Sequence, residues 1–183
     1  MLIVEGSDLV GKTSLVKELC KEAIEQGFPM IPQHFGLLPD SWDFFSDYLP
    51  YIQKRTVMDR FIISELIYGE LLRNKCRISY SSWEALNRLM THEKCMTIII
   101  AAEPEFFATH VKKEHSKRGE VFNPEEIMSV NMGFLQTGIH HTFCSYKVDF
   151  TTLWKVENNR TFPSSNKTFI KNTIKRYIEM QNG

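Results

Sequence analysis

Short apolar runs alternate along the chain with longer segments in which apolar residues recur every three or four positions. The clearest runs are Met1–Val4, Thr56–Met58 and Met96–Ala102. The last run is rich in β-branched residues and does not alternate with polar ones, which predicts a central parallel strand buried on both faces. Strands that alternate with helical segments in this way predict an α/β fold, in which helices cover both faces of a parallel sheet.

The remaining strands are less clearly marked. Met30–Phe35 predicts a second short strand. Between Tyr146 and Val156 we expect one or two more, with Leu153–Val156 as the last strand of the sheet. The prediction is therefore a five-stranded parallel sheet within three layers. At 183 residues, without an internal repeat or a linker-like segment, residues 1–183 fit a single domain.

Composition and charge narrow the range of functions. The chain carries 22 basic and 22 acidic residues, so its net charge does not favour wholesale binding of nucleic acid or of an anionic membrane. It has no apolar stretch of about 18 residues that would span a bilayer, and its four cysteines form no C-x-x-C pair. We therefore expect small-molecule partners and a cytoplasmic location, or the host cytoplasm if the source is viral.

The segment between the first predicted strand and the first predicted helix carries a phosphate-binding pattern. Gly6, Gly11, Lys12 and Thr13 satisfy G-x-x-x-x-G-K-[ST]. The glycines let the loop wrap closely around an anion, which the positive end of the helix dipole also favours. Lys12 would reach the β- and γ-phosphates of a nucleotide, and the Thr13 hydroxyl would bind Mg²⁺. The predicted phosphate-binding residues are Gly6, Ser7, Asp8, Gly11, Lys12, Thr13 and Ser14.

Two further charged clusters lie where a bound nucleotide would need them. Asp59 and Arg60 directly follow the predicted third strand, at the edge of the sheet where open α/β folds bind ligands. Asp59 would bind Mg²⁺ together with Thr13, and Arg60 would form a two-pronged contact with a phosphate. The basic stretch that includes Lys117 and Arg118 predicts a short lid over about residues 112–123; a solvated helix face would show a similar pattern.

Phosphate-binding loops occur in GTPases, in motor-type ATPases and in small-molecule kinases. The chain has no N-K-x-D sequence after a buried strand, which a GTPase needs to bind guanine. Its most apolar run ends at Glu103 and Pro104, and we expect Glu103 to cap the next helix and not to serve as the acidic residue of a motor ATPase. The two charged clusters therefore favour a small-molecule kinase.

Three segments resemble the thymidylate kinases and related deoxynucleoside monophosphate kinases, a P-loop family. Residues 5–14, EGSDLVGKTS, look like the family's E-G-x-D-x-x-G-K-[ST] opening. Residues 59–71, DRFIISELIYGEL, resemble its D-R-[YF]-x-x-S-x-x-A-Y segment, and residues 117–120, KRGE, fall where its lid lies. The resemblance implies a P-loop NTPase fold, ATP as phosphoryl donor and Mg²⁺ as cofactor.

The resemblance also implies roles for individual residues. Some family members carry a catalytic arginine in the loop where this chain has Leu9, which implies that Lys117 or Arg118 supplies that charge. A homodimer that uses the helix near Phe61–Leu72 is a further implication. The implied catalytic residues are Lys12, Asp59, Arg60, Lys117 and Arg118, and the implied acceptor-binding residues are Asp8, Arg60, Phe61, Tyr68 and His34.

Two departures leave the acceptor base open. The family's R-E-P-G loop after the second strand is missing, and so is the F-x-A-x-R helix that lines its thymine site. In their place lies Gly36–Pro50, an aromatic segment with no clear period. Trp42, Phe44, Phe45 and Tyr48 either wall a base pocket or cover one edge of the sheet.

Three functions stay open, and the residues favour ATP-dependent phosphorylation of a deoxynucleoside 5′-monophosphate, dTMP or a related one. The main alternative is a deoxynucleoside kinase, because the hydroxyl of a nucleoside is a poor nucleophile and needs a base. The predicted second strand ends in Gln33-His34-Phe35-Gly36, without a carboxylate, although His34 could act as a base. The second alternative is a non-catalytic nucleotide-binding module, which would be marked by loss of Lys12, Arg60 or the lid charges; all are present.

Overall fold

A computed structural model describes residues 1–36, 38–118, 122–136, 144–149, 154–157, 160–163 and 167–183. Side chains are described for these residues except 106, 113, 116–118 and the strands between 144 and 163. The predicted lid therefore lies partly outside the described residues, as do the side chains of Lys117 and Arg118. Within the described part, no helix is both long enough and apolar enough to cross a bilayer.

Parallel strands form the centre of the molecule, in the hydrogen-bonded order β2–β3–β1–β4–β5. The strands of the described part are β1 (Leu2–Gly6), β2 (Ile31–His34), β3 (Thr56–Asp59), β4 (Met96–Ala101), β5 (Cys144–Asp149), β6 (Trp154–Glu157) and β7 (Arg160–Pro163). Side chains are described for β1 to β4, whereas β5 is described by its backbone pairing with β4 alone. The predicted α/β class with a parallel sheet is confirmed.

The last strand of the sheet is not where the sequence predicted it. β5, Cys144–Asp149, pairs with β4. The segment predicted as the last strand, Leu153–Val156, overlaps β6, which instead pairs antiparallel with β7 in a separate ribbon. Both segments are short and rich in residues that favour strands, so local composition does not distinguish a sheet strand from a ribbon strand. Their partners are decided by tertiary pairing.

Helices lie on both faces of the sheet. They are α1 (Lys12–Glu25), α2 (Ile62–Arg73), α3 (Tyr80–His92), α4 (Pro104–Arg118), α5 (Pro124–Gln136) and α6 (Lys167–Asn182), with a 3₁₀ turn at Leu49–Tyr51. In β1, Leu2 and Val4 point into a buried cluster that includes residues of α1 and α6. Ile3, between them, points into a second cluster formed with α2 and α3. This alternation of neighbouring side chains places one helical layer on each face.

The helix near Phe61–Leu72, from which a homodimer was predicted, packs largely against its own chain. Phe61, Ile63 and Ile67 are buried in the cluster between the sheet and α2. Leu71 is 45% exposed. At Gly133 of α5, an added Cβ would lie 2.8 Å from Cγ2 of Ile67, so glycine is what lets α5 approach α2 closely. The homodimer stays a prediction.

A buried asparagine joins α5 to the carboxyl edge of the sheet. Asn131 is fully buried. Its Nδ2 donates to the carbonyl of Ala102 at 2.7 Å, and its Oδ1 accepts from the Ala102 N–H at 3.0 Å. Ala102 directly follows β4, where the chain leaves the sheet toward α4. One side chain thus pairs both backbone groups at a point where neither belongs to the strand ladder.

Replacing this asparagine should destabilise the fold. We expect Asn131→Ala to lower the free energy of unfolding by about 2–4 kcal/mol, because two hydrogen bonds are lost and two buried backbone groups of Ala102 are left without partners. Urea unfolding followed by circular dichroism measures the change. Asn182→Ala, at the exposed end of α6, is the control and should change little. Equal stability of the two variants would contradict the role assigned to Asn131.

Candidate active site

The loop between β1 and α1 has the backbone that the phosphate-binding pattern requires. Gly6 has φ of 150°, and an added Cβ would lie 2.6 Å from the carbonyl oxygen of Ile100. Gly11, directly before α1, has φ of 84°. Glycine is therefore favoured at both positions, by the positive φ at each and by the lack of space for a side chain at Gly6. Lys12 begins α1, is buried, and donates from Nζ to the carbonyl oxygen of Ser7 at 2.5 Å.

Sheet register gathers three predicted residues at the carboxyl edge. In the parallel ladder, Val4 of β1 pairs with Asp59 of β3, and His34 of β2 pairs with the same Asp59. Thr13, in the first turn of α1, donates from Oγ1 to Oδ2 of Asp59 at 2.5 Å. Nδ1 of His34 lies 3.1 Å from the same oxygen. Asp59 is 2% exposed, and its other oxygen, Oδ1, is buried without a hydrogen-bond partner among the described residues.

This donor set fits a magnesium ion. A hydroxyl and a carboxylate are hard oxygen ligands, and Mg²⁺ in nucleotide sites commonly keeps several waters and takes one or two protein oxygens. The unpaired Oδ1 of Asp59 is a buried acceptor that a cation or its water would satisfy. Thr13 and Asp59 are thus the described residues that could hold the ion, and their role as magnesium ligands stays a prediction.

A second polar cluster lies beside the loop. Arg60 forms an ion pair from Nη2 to Oδ1 of Asp8. Tyr68, in the middle of α2, donates from its hydroxyl to Oδ2 of Asp8 at 3.1 Å. The centre of its ring lies 5.4 Å from Cζ of Arg60. Asp8 also lies 4.0 Å from Nζ of Lys12. The carboxylate of Asp8 therefore connects the phosphate-binding loop to the start and the middle of α2.

Arg60 has a strained backbone. Its φ is 72°, in a region that costs a non-glycine residue about 1–3 kcal/mol and that persists only where the surrounding contacts enforce it. Its N–H donates to the carbonyl of Val4 at 3.0 Å, which continues the contact between β1 and β3 by one residue. The next residue, Phe61, is buried against Tyr48 with ring centroids 4.3 Å apart. These contacts fix the direction in which Arg60 leaves the sheet.

A buried glutamate that was not among the predicted site residues, Glu5, holds the start of α2. Oε1 of Glu5 accepts from the N–H groups of Phe61, Ile63 and Ser64 at 3.0, 3.1 and 3.3 Å. Oε2 accepts from the Ser64 hydroxyl. Glu5 is fully buried, and this burial raises its pKa against the opposing effect of these hydrogen bonds. The available signal was a charged residue inside an otherwise apolar strand.

A cavity of about 250 Å³ opens beside these clusters. All five predicted acceptor-binding residues line it: Asp8, His34, Arg60, Phe61 and Tyr68. Eight further lining residues had no predicted role at the site: Phe35, Gly36, Leu38, Ser64, Glu65, Arg73, Arg77 and Phe122. Of the aromatic segment, Tyr48 lines the cavity. Phe44 packs against Tyr48, with the two ring centroids 5.8 Å apart. Part of that segment therefore lines the cavity, and its role as the wall of a base pocket stays a prediction.

The other predicted site residues lie at different depths. Ser7 is fully buried, whereas Thr13 and Ser14 are exposed in the first turn of α1. Lys117 and Arg118 belong to the last turn of α4, but their side chains lie outside the described residues. His110, earlier in α4, lies with Nε2 3.0 Å from the carbonyl oxygen of Leu9, so α4 contacts the phosphate-binding loop directly.

A solved structure shares this fold. The YorR protein of Bacillus subtilis, solved in complex with phosphorylated GDP, is 17% identical with a TM-score of 0.70 over 99% of this chain and 96% of YorR. At that identity the likeness shows the fold alone. Deoxyadenosine kinase of M. mycoides, solved with bound dCTP, is 12% identical with a TM-score of 0.48 over 98% of this chain and 99% of the kinase, which is too weak to support an argument. No protein-family model and no curated protein matches the chain.

The pKa of Glu5 predicts a pH-dependent stability. A raised pKa in the folded state stabilises the fold below the unfolded pKa of about 4.3, and this contribution is lost as pH rises through the folded pKa. Glu5→Gln does not titrate at this position. We therefore expect the free energy of unfolding of the variant, relative to the wild type, to rise with pH above about 4.3.

Urea unfolding of both proteins between about pH 4 and 8, the range over which a raised carboxyl pKa is expressed, measures this difference. Glu70→Gln is the control, since Glu70 is exposed on α2, the helix whose start Glu5 holds, and its difference from the wild type should be nearly constant with pH. A difference for Glu5→Gln that stays constant or falls as pH rises would show that folding does not raise the pKa of Glu5.

Proposed function

We propose that the protein is a kinase that transfers the γ-phosphoryl group of ATP to a deoxynucleoside 5′-monophosphate, dTMP or a related one, with Mg²⁺. The observation that supports this most directly is the position of Arg60. It lies between the phosphate-binding loop, through its ion pair with Asp8, and the acceptor cavity, which it lines. A cation at that point would hold an acceptor phosphate next to the donor phosphates.

The donor would be bound by the loop and the start of α1. Backbone N–H groups of the loop and the N-terminus of α1 favour the phosphates, and Lys12 would exchange its contact with the Ser7 carbonyl for the β- and γ-phosphates. Thr13 and Asp59 would hold Mg²⁺, which, when bound, neutralises charge on the β- and γ-phosphates. Asp59 would keep Thr13 oriented through their hydrogen bond.

The acceptor phosphate would lie at Arg60. One of its oxygens forms the new bond to the γ-phosphorus while the bond from that phosphorus to the bridging oxygen of ADP breaks, so no covalent enzyme intermediate is needed. Tyr68 and Asp8 would hold the Arg60 side chain in place. Lys117 and Arg118 remain our candidates for the cation that neutralises the transferred group, as the family resemblance implies.

A deoxynucleoside kinase is the second candidate, and one observation favours it. His34 lines the cavity, and its Nδ1 lies 3.1 Å from Oδ2 of Asp59. A histidine held through one nitrogen by a carboxylate is the usual arrangement of a general base. His34 could then accept the proton of a nucleoside 5′-hydroxyl. A monophosphate acceptor has no such requirement, since its attacking oxygen is already an anion.

Turnover tests the proposal directly. In a coupled ADP-release assay with Mg-ATP, we expect one or more deoxynucleoside monophosphates to be phosphorylated and free deoxynucleosides to be inactive. Lys12→Ala should lower kcat by about 10²–10³-fold or more, because it removes a cation from the developing charge. Lys17→Ala, exposed on the same helix, is the control. Full activity of Lys12→Ala, or binding of ATP without turnover of any acceptor, would refute the catalytic proposal.

His34 separates the two acceptors. For a monophosphate acceptor, His34→Gln should keep kcat within about tenfold of the wild type, because no proton has to be removed. A loss of about 10²–10⁴-fold with a deoxynucleoside substrate would instead identify a general base. His92→Gln is the control, as His92 is exposed and paired only with its neighbour Glu93 in the described structure. The ratio of activities with the two acceptor classes decides between the candidates.

A further inference from the structure

The phosphate-binding loop contains a strained residue that is not glycine. Leu9, between Gly6 and Gly11, has a φ of 66°, in the left-handed region that residues with a branched or bulky side chain rarely adopt. Gly6 and Gly11 also have positive φ, but glycine adopts such values without strain. Strain of the kind found at Leu9 persists only where the surroundings enforce it. The loop therefore depends on contacts from outside to keep its shape.

Two such contacts lie at and beside Leu9. The carboxylate of Asp8 is bound by Arg60 and by Tyr68, which holds the residue before Leu9. The backbone of Leu9 itself is contacted from α4, where Nε2 of His110 lies 3.0 Å from the Leu9 carbonyl oxygen. A carbonyl oxygen only accepts hydrogen bonds, so Nε2 of His110 carries a proton and donates it.

The packing of α4 gives His110 a defined orientation. The helix is anchored on one face of the sheet by Phe107 and Val111, which are fully buried. The half-buried ring of His110 stacks on the ring of Phe107, with the two centroids 6.0 Å apart and the ring planes 25° apart. A buried ring on a well-packed helix thus supports the imidazole whose Nε2 reaches the loop.

This hydrogen bond sets the direction of a whole peptide unit. The peptide that joins Leu9 to Val10 is planar, so its carbonyl bond and its N–H bond point in opposite directions. Holding the carbonyl toward α4 turns the opposite edge of the same unit away from α4. A loop that binds an anion is built from peptide units whose N–H edges face inward, and its shape therefore depends on how each unit is turned.

We propose that His110 is a positioning residue for the donor phosphates and keeps the strained loop in the shape that binds them. Without this hydrogen bond, Leu9 would populate other backbone conformations, and ATP would bind only the molecules whose loop has the competent shape. The apparent affinity for ATP falls in proportion to that fraction. The inference rests on the proposed function, because it takes the phosphates of ATP as the ligand of this loop.

Substitutions at His110 separate the hydrogen bond from the packing. His110→Phe keeps a ring that can stack on Phe107 but has no donor for the Leu9 carbonyl, whereas His110→Gln has an amide that can donate from about the same place. Isothermal titration calorimetry of the 183-residue chain with Mg-ATP measures the affinities. For His110→Phe we expect the Kd to rise about three- to tenfold, as for the loss of one hydrogen bond, and for His110→Gln we expect a smaller rise.

The effect should be confined to the donor. In His110→Phe, KM for ATP should rise with the Kd, while KM for the acceptor monophosphate stays within about twofold of the wild type, because neither His110 nor Leu9 lines the acceptor cavity. His92→Phe is the matched control, since His92 is exposed at the end of α3, and should change neither constant. His110→Leu, which also lacks a donor, is a second variant, and thermal unfolding checks that each variant is folded.

A further substitution tests the part played by strain. Asparagine adopts the left-handed region more readily than leucine, so Leu9→Asn should make the loop less dependent on the hydrogen bond. We expect His110→Phe to raise the Kd for ATP by a smaller factor in the Leu9→Asn background than in the wild type. The four proteins form a double-mutant cycle that measures this coupling.

Several results would overturn the inference: no binding of ATP by the wild type, an unchanged Kd in His110→Phe and His110→Leu, equal losses in His110→Phe and His110→Gln, or equal factors in the two Leu9 backgrounds. Failure of the proposed function has a different signature. If ATP binding depends on His110 as described but no acceptor is phosphorylated, the positioning role stands and the kinase proposal fails. Turnover of an acceptor with an ATP affinity that does not depend on His110 gives the opposite result.

Discussion

The parallel pairing of β1 with β3 is the constraint on which the site depends. It sets Val4 opposite Asp59, so the loop that follows β1 and the charged residues that follow β3 leave the sheet side by side. β2 adds His34 in the same register. Since all three strands are parallel, their carboxyl ends meet at one edge, where ligands of open α/β sheets bind. A slip of the register would separate Thr13 from Asp59.

Two buried carboxylates extend this constraint from the sheet to α2. Glu5 accepts from backbone groups at the start of the helix, and Asp8 pairs with Arg60 and Tyr68. Between them Arg60 adopts a φ of 72°. Such strain persists only where the surroundings over-determine the conformation. The hydrogen bonds that anchor α2 and the contact with Val4 enforce this conformation. They also direct the side chain of Arg60 toward the cavity.

Parts of the site that are continuous in sequence were predictable, and parts that depend on tertiary contacts were not. The glycine loop, Lys12 and Thr13 lie within one short motif whose spacing follows from phosphate geometry. Asp59 was predictable because a charged residue directly after a buried strand rarely contributes to the stability of the fold, and so points to a ligand. The cap formed by Glu5 joins residues that are 56 to 59 positions apart, and no local pattern reports such a contact.

The far end of the cavity shows the same limit for another reason. Arg77 reaches Glu65 only because the chain reverses at Asn74 and packs on Gly69. A glycine inside a helical pattern does not by itself indicate that another segment packs there. The prediction misplaced the last strand of the sheet because strand propensity does not indicate which strand a segment will pair with. Thus the class of the fold and the position of the glycine loop follow from the sequence, whereas the walls of the cavity require the structure.

The charges of the cavity bear on the proposal that a chain with no net charge binds an anionic acceptor. Each cavity arginine is paired with a carboxylate, and a buried ion pair gives little net stability because both groups lose their hydration. The pair of Arg60 with Asp8 uses Nη2, while Nε of Arg60 is buried without a hydrogen-bond partner among the described residues. Under the proposed function, Nε would donate to the acceptor phosphate only after the guanidinium turns, because this nitrogen is buried in the structure. The carboxylate of Asp8 would limit that movement, since it holds Nη2 beside the glycine loop.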